Sequence, residues 1–230
     1  LHPLSLLQRK VNDIFYELGF AVASGPEIED EFHNFDALNI PEDHPARDLW
    51  DTFWLKDNNL GELLRTQTSS VQVRYMEDKD NEPPIQMIAP GKVYRYEATD
   101  ATHETQFYQL EGLMIGEDVT LGDLRGTLDA FFDAFYDTDM SVRLRPSFFP
   151  FTEPSVEVDM RSAEATDADW VEMLGAGMVH PHVLSSVGID PQKWQGFAFG
   201  MGLDRLAMLK HEIDDVRLFY NGDLRLINQF

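Results

Sequence analysis

Three groups of residues in this chain have the types and spacing to act on a small molecule that carries an aromatic ring and charge. The first is Arg95-Tyr96-Glu97, a polar loop with Asp100 and His103, and then Phe107-Tyr108-Gln109-Leu110-Glu111. Side chains alternate faces along a strand. Arg95 and Glu97 are therefore expected on one face, and Phe107, Gln109 and Glu111 on one face of a partner strand. Where those faces coincide, a guanidinium, an aromatic plate, an amide and two carboxylates line one surface, bracketed by Val93 and Leu113. Arginine pairs with phosphate through two parallel hydrogen bonds. A phenylalanine can stack on a purine, and Gln with Glu can hold an ammonium. The same pattern also describes a solvated sheet face with cross-strand ion pairs, and it leaves both readings open.

The second group is Gly196-Phe197-Ala198-Phe199-Gly200-Met201-Gly202-Leu203-Asp204-Arg205. Glycines let a ligand or another backbone approach a strand closely. Arg205 falls in the first turn of a following helix, where a cation opposes the helix dipole. An anion there would be held by both the arginine and the helix end. The spacing is not the dinucleotide fingerprint, and close packing is the alternative reading of the glycines. The third group is Phe148-Phe149-Pro150-Phe151-Thr152-Glu153-Pro154. Its aromatic edges can embrace an aromatic ligand, and Glu153 can hold magnesium, which takes one or two carboxylates plus ligand phosphates. A core cluster at a strand end is the blander alternative. His180-Pro181-His182 lacks a third ligand at zinc spacing. Ser69 and Ser70 have no nucleophile elbow around them. The acidic run 27–31 reads as a solvated helix face.

The elements that must position these groups follow from periodicity. Leu4, Leu7, Val11, Ile14, Phe15 and Leu18 mark a helix stopped by Gly19. A short strand is expected over 20–23. Ile28, Phe32, Phe35 and Leu38 suggest an amphipathic helix, and 39–51 a connection rich in Pro, His and Asp. A helix capped by Thr68 or Ser69 is expected over 68–77. Strands are expected over 85–97 and 106–116, joined by the loop 98–105, then over 141–149, 156–161, 170–179 and 196–202. Helices are expected over 121–136 and 203–210, and 161–169 reads as a polar loop. Neighbouring strands without long helical crossovers imply an α+β fold, a largely antiparallel sheet flanked by helices.

Composition narrows the function classes. With 18 Lys+Arg against 41 Asp+Glu the formal charge is −23, which argues against a general electrostatic grip on nucleic acid, and any nucleic-acid role would need local basic residues or a partner chain. There are no cysteines, hence no disulfides or thiolate metal sites. The longest uncharged stretch, 173–189, holds glycines, a proline and histidines and cannot span a membrane. No signal-like segment opens the chain, and a cytoplasmic setting and no membrane contact are expected.

Taken together, the motifs resemble the catalytic domain of bacterial phenylalanyl-tRNA synthetase alpha subunits, which are class II aminoacyl-tRNA synthetases. Gly25-Pro26-Glu27-Ile28-Glu29 with His33-Asn34-Phe35-Asp36-Ala37-Leu38-Asn39 resembles motif 1. Tyr94-Arg95-Tyr96-Glu97 through Asp100-Ala101-Thr102-His103 to Gln109-Leu110-Glu111-Gly112 resembles motif 2, and Gly200-Met201-Gly202-Leu203-Asp204-Arg205 motif 3. Phe149-Pro150-Phe151 and Gly175-Ala176-Gly177-Met178-Val179-His180-Pro181 match as well, and the resemblance spans nearly the whole chain.

The resemblance implies a single catalytic domain over 1–230, with the subunit's N-terminal coiled coil not preceding Leu1. It implies that L-phenylalanine is activated with ATP and magnesium and transferred to the terminal ribose of tRNA(Phe). By the same resemblance Arg95 grips the α-phosphate and Arg205 the distal phosphates. Phe107 stacks adenine, Glu97 reads its amino group and His103 lies near the phosphates. Gln109 and Glu111 hold the ammonium of phenylalanine, helped by Gln67, Ser69 and Gln72. Phe149 and Phe151 contact its ring, Ala198 sets the pocket depth, and Glu153 is the magnesium ligand at an edge shared with a beta subunit. Two alpha and two beta chains are expected, with tRNA bound mostly through segments outside this chain. One departure concerns Thr66-Gln67-Thr68-Ser69, where the family usually has histidine at position 67; glutamine hydrogen-bonds but carries no charge. A paralogue that serves a non-tRNA acceptor and a non-catalytic binding subunit are the alternatives.

Overall fold

Proline at the first helical position and His2 Nδ1 accepting the Leu4 N–H open α1 (Pro3–Glu17). Its stripe Leu4, Leu7, Val11, Ile14 and Phe15 is buried. These residues pack on α4 (Leu121–Tyr136), which presents Leu124, Leu128, Phe131, Phe132 and Phe135. A capping box between Thr120 and Asp123 starts α4 where the sequence expects it. Both helices lie against one face of a seven-stranded sheet. Residues 1–43, 52–56, 61–164 and 170–230 are described in this computed structural model; parts of the expected connection 39–51 and polar loop 161–169 lie outside them.

The sheet strands are β1 (Ala21–Val22), β4 (Ile85–Tyr94), β5 (Gln106–Gly116), β6 (Met140–Phe149), β7 (Thr152–Ser162), β8 (Val171–Val179) and β9 (Gln195–Gly202). Their order is β1-β4-β5-β9-β8-β7-β6, and every pair except β1–β4 is antiparallel. Alternation assigns Ile88, Leu110, Phe197, Phe199 and Met201 to the helix-covered core. Met87, Ala89, Leu113 and Ile115 face the other way. There they meet α3 (Ser69–Glu77) and the segment with Phe35, Ala37, Leu38 and Ile40. Gln109 and Glu111 have the parity of Leu113, so they open onto this second face.

Four expectations need correction. The stretch 28–38 is not one helix. Ile28–Glu29 forms β2 and pairs with β3 (Leu63–Leu64); the four-residue α2 (Glu31–Asn34) then starts on the Asp30 cap, and a 3-10 turn covers Asp36–Leu38. Glu29 is not solvated: it is 1% exposed, and Arg74 donates three hydrogen bonds to its carboxylate, at 2.6, 2.9 and 3.1 Å. Neither hydroxyl caps α3. Thr68 makes no side-chain cap bond, and Ser69 Oγ donates instead to Glu111. Finally, β4 ends at Tyr94, so Arg95 and Glu97 lie beyond the strand they were expected to share.

Candidate active site

On the second face the sheet floors a cavity of about 520 Å³. Glycine makes the room. Gly200 stands opposite Glu111 in the β5–β9 ladder, and Gly175 opposite Gly200 in β8–β9. A Cβ at Gly200 would press on Gln109 at 3.1 Å and Glu111 at 3.2 Å, and one at Gly175 would meet the Phe149 ring at 2.7 Å. Gln67, Ser69, Gln72, Arg95, Glu97, Gln109, Glu111, Phe149, Phe151, Ala198 and Arg205 all line this space.

Its polar end is built around Glu111. The carboxylate is 5% exposed and accepts Ser69 Oγ at 2.5 Å, Gln72 Nε2 at 3.1 Å and Gln109 Nε2 at 2.9 Å. All three donors are neutral. Burial outweighs these bonds and the nearby Arg95 and Arg65 charges, and pushes the Glu111 carboxyl up to about 7. Beside it, Gln109 Oε1 is buried without a hydrogen-bond partner. A carboxylate whose hydrogen-bond donors are all neutral and an unpartnered amide oxygen thus stand side by side at this end. Gln67 donates to the Asn34 carbonyl at 3.3 Å.

The apolar end has Phe149 and Phe151 stacked at 6.0 Å and 7° on the tight β6–β7 turn. Leu38, Leu113, Val179, Val183 and Ala198 complete a slot of benzyl character. At the opposite end Arg95 donates to the Thr66 carbonyl at 3.3 Å, and its guanidinium lies 5.1 Å above the Phe107 ring. Burial lowers its pKa from the ordinary arginine value, yet it stays charged near neutrality. Arg205, the third residue of α6 (Leu203–His211), is exposed and donates to the Glu172 carbonyl at 3.0 and 3.1 Å.

The comparisons with known proteins bear on this geometry. The family model described as "tRNA synthetases class II core domain (F)" matches residues 1–230. A Neisseria meningitidis serogroup B protein named "Phenylalanine--tRNA ligase alpha subunit" is 53% identical over 231 residues, covering all of this chain and 68% of that protein. A Bacillus subtilis protein of the same name is 48% identical over 237 residues, with the same coverage. The chain belongs to the phenylalanine–tRNA ligase alpha-subunit family. Among solved structures, a pyrrolysyl-tRNA synthetase from Desulfitobacterium hafniense shares the fold. It aligns at TM-score 0.70 with 20% identity, over 96% of this chain and 74% of that one.

For a synthetase of this family, three expected site residues lie outside the cavity lining. Phe107 sits beneath Arg95. His103 is in the loop beyond β4, where its N–H donates to Asp100 Oδ1 at 2.8 Å. Glu153 is on β7, with a side chain 76% exposed and His180 Nε2 at 3.4 Å. His180 itself caps α5 (Pro181–Ser186) by accepting the His182 N–H. The trio Glu29, Asp30 and His33 lies close enough to share an ion, but Arg74 occupies Glu29.

Sequence reasoning missed Glu157 and Glu172, two carboxylates that do face the cavity. Arg145 holds both, at 2.9 Å each, and also binds Asp159. The signal was present: Arg143 and Arg145 alternate on β6 opposite Asp159 and Glu157 on β7. Without the register, those two arginines and two acids had no reason to be paired.

Proposed function

We propose that this chain activates L-phenylalanine with ATP, forming phenylalanyl-adenylate and pyrophosphate, and then passes the phenylalanyl group to the terminal ribose of tRNA(Phe). The observation that carries the reading is the buried pair of acceptors, Glu111 and Gln109 Oε1, at the mouth of a phenylalanine-lined slot. An amino acid with a benzyl side chain satisfies both ends at once: the ammonium meets Glu111 and Gln109, and the ring lies against Phe149, Phe151 and Ala198. Ser69 and Gln72 orient Glu111 by donating to its Oε2, and Gln67 lines the same cavity.

With the ammonium so fixed, the substrate carboxylate is directed toward Arg95. Adenine stacks on Phe107, and its amino group is read by Glu97. Taking up the adenine moves the Arg95 guanidinium off that ring and onto the α-phosphate. Arg205 and His103 hold the distal phosphates. A carboxylate oxygen attacks the α-phosphorus, the bond to pyrophosphate breaks, and no protein atom becomes covalently bonded. The protein supplies orientation and charge stabilisation. Loss of one such arginine costs on the order of 3–4 kcal/mol of barrier. In the second step the ribose hydroxyl attacks the adenylate carbonyl and AMP leaves.

ATP use follows from family membership. Magnesium, when bound, neutralises phosphate charge. Glu153 lies outside the cavity lining, with its side chain 76% exposed. As a magnesium ligand it would act at the outer edge shared with a partner subunit. The two core clusters on one sheet support reading 1–230 as one catalytic domain. The alpha-subunit family implies a partner; we take it to be a beta subunit in an assembly of two alpha and two beta chains. With a charge of −23, most tRNA contact falls to segments outside this chain, in the cytoplasm. No described helix is long and apolar enough to cross a membrane.

The test is aminoacylation of purified tRNA by the assembled enzyme with each standard amino acid. Charging with phenylalanine alone, or with traces of tyrosine, supports the reading. Adenylate formation without charging of any tRNA would favour a paralogue with another acceptor.

A further inference from the structure

Strand β9 leaves the sheet at Gly202 and turns directly into α6. The last pair of its ladder with β5 is Gln109↔Gly202. The N–H of Tyr108, one residue further along β5, then has no strand to receive it, and an N–H left without a partner is costly away from water. The side chain of Asp204 replaces the missing strand. Its Oδ2 accepts the Tyr108 N–H at 2.7 Å, and its Oδ1 accepts the Tyr220 hydroxyl. Asp204 is 4% exposed, so both bonds are made away from solvent.

Each partner of this carboxylate leads to a residue of the nucleotide end. Tyr108 lies between Phe107 and Gln109. Asp204 directly precedes Arg205 on α6. Tyr220 ends the 3-10 turn Val216–Phe219, whose Val216 N–H donates at 2.9 Å to the Ala101 carbonyl, in the loop that carries His103. The phenylalanine end is held differently, by Ser69 and Gln72 of α3 on Glu111.

We propose that Asp204 is a positioning residue for the nucleotide half of the site: one carboxylate holds the strand of Phe107, the helix of Arg205 and the segment that braces the His103 loop. The inference rests on the reading that those three residues bind ATP. It gives Asp204 itself no contact with substrate. Its consequence is a separation of parameters, in which nucleotide recognition loosens while phenylalanine binding does not.

Asp204→Asn turns an amide N–H toward one of the two donors, and Tyr220→Phe removes one donor and leaves the other in place. Both variants are made in the assembled enzyme. The phenylalanine Kd is measured by calorimetry without ATP; KM for ATP and kcat come from phenylalanine-dependent ATP–pyrophosphate exchange. Losing a hydrogen bond to a charged group predicts a KM for ATP raised about tenfold or more by Asp204→Asn and about threefold by Tyr220→Phe, with the phenylalanine Kd within about twofold of wild type. An unchanged KM for ATP in both variants overturns the proposal. So does a phenylalanine Kd that worsens as much as KM, since that marks general loosening. Should Asp204→Asn not fold, Tyr220→Phe decides by the same criteria. Wild-type enzyme that fails to exchange with phenylalanine counts against the functional reading instead, and direct ATP titrations of wild type and variants then decide the role of Asp204.

Discussion

Replacing Glu111 with glutamine should make the protein more stable and nearly inactive at once. Burial raises the Glu111 carboxyl from 4.5 to about 7. The folded state therefore binds its proton more tightly than the unfolded chain. The stability this contributes is fully present below pH 4.5 and is lost as pH rises to about 7, a loss of about 3 kcal/mol. A neutral glutamine avoids it. Its oxygen can keep the Ser69 and Gln72 bonds now made to Oε2, and its amide can donate to Gln109 Oε1 once the Gln109 amide flips, which leaves Gln109 Nε2 in the place where Oε1 now has no partner, so the gain comes from the lost charge alone. Above pH 7.5 the variant should melt several degrees higher than wild type, since ~1 kcal/mol is worth about 2–4 °C in a chain of this size. The same change removes the anion and turns Gln109 Oε1 away from the ammonium. Truncating one partner of a buried charge pair costs about 2–5 kcal/mol, so kcat/KM for phenylalanine should fall by roughly 30-fold or more. Wild-type KM for phenylalanine should rise as pH falls below about 7, and the variant should lose that dependence. The assays are thermal melts at pH 5 and 8 and exchange kinetics across the same range. A variant that melts lower at pH 8, or keeps phenylalanine kinetics within a few-fold of wild type, refutes the reasoning.

Three further outcomes are expected. Ala198 faces Leu113 across the β5–β9 ladder and lines the cavity; Ala198→Gly should raise exchange with para-chlorophenylalanine relative to phenylalanine by about tenfold or more, and an unchanged ratio removes Ala198 from the pocket. Arg74→Met leaves the fully buried Glu29 side chain without its fork of hydrogen bonds and should cost about 3–5 kcal/mol in denaturant unfolding; a midpoint equal to wild type contradicts this. A Cβ at Gly112 would sit 2.1 Å from the Phe199 ring, so Gly112→Ala should destabilise by about 1–3 kcal/mol or more, and an unshifted melting curve would show that the ring yields freely.

What was legible in the sequence had local causes. The helix over Leu121–Tyr136 carries its own cap and aromatic stripe, and the alternation of the 106–116 strand does not depend on its neighbours. The motifs around Arg95–Glu111 and Gly196–Arg205 meet because β5 and β9 are adjacent, with Glu111 opposite Gly200. That the two motifs serve one site came from the family resemblance, not from periodicity. The misreadings had distant causes. Ile28 and Glu29 are drawn into pairing with Leu63–Leu64, and Glu29 is buried because Arg74, 45 residues away, meets it. Ser69 reads locally as a helix cap but spends its hydroxyl on Glu111, 42 residues on. Arg95 lies past the end of its strand, and it is the Thr66 carbonyl that brings it to the cavity.

The central claim is that the acceptor pair and the benzyl slot belong to an amino acid that becomes adenylated. Amino-acid-dependent ATP–pyrophosphate exchange tests it most directly, run across all standard amino acids on the assembled enzyme with magnesium supplied. The account predicts strong exchange with phenylalanine, weak exchange with tyrosine, and loss of both in Glu111→Gln. Exchange led by another amino acid, or none with any, would contradict it.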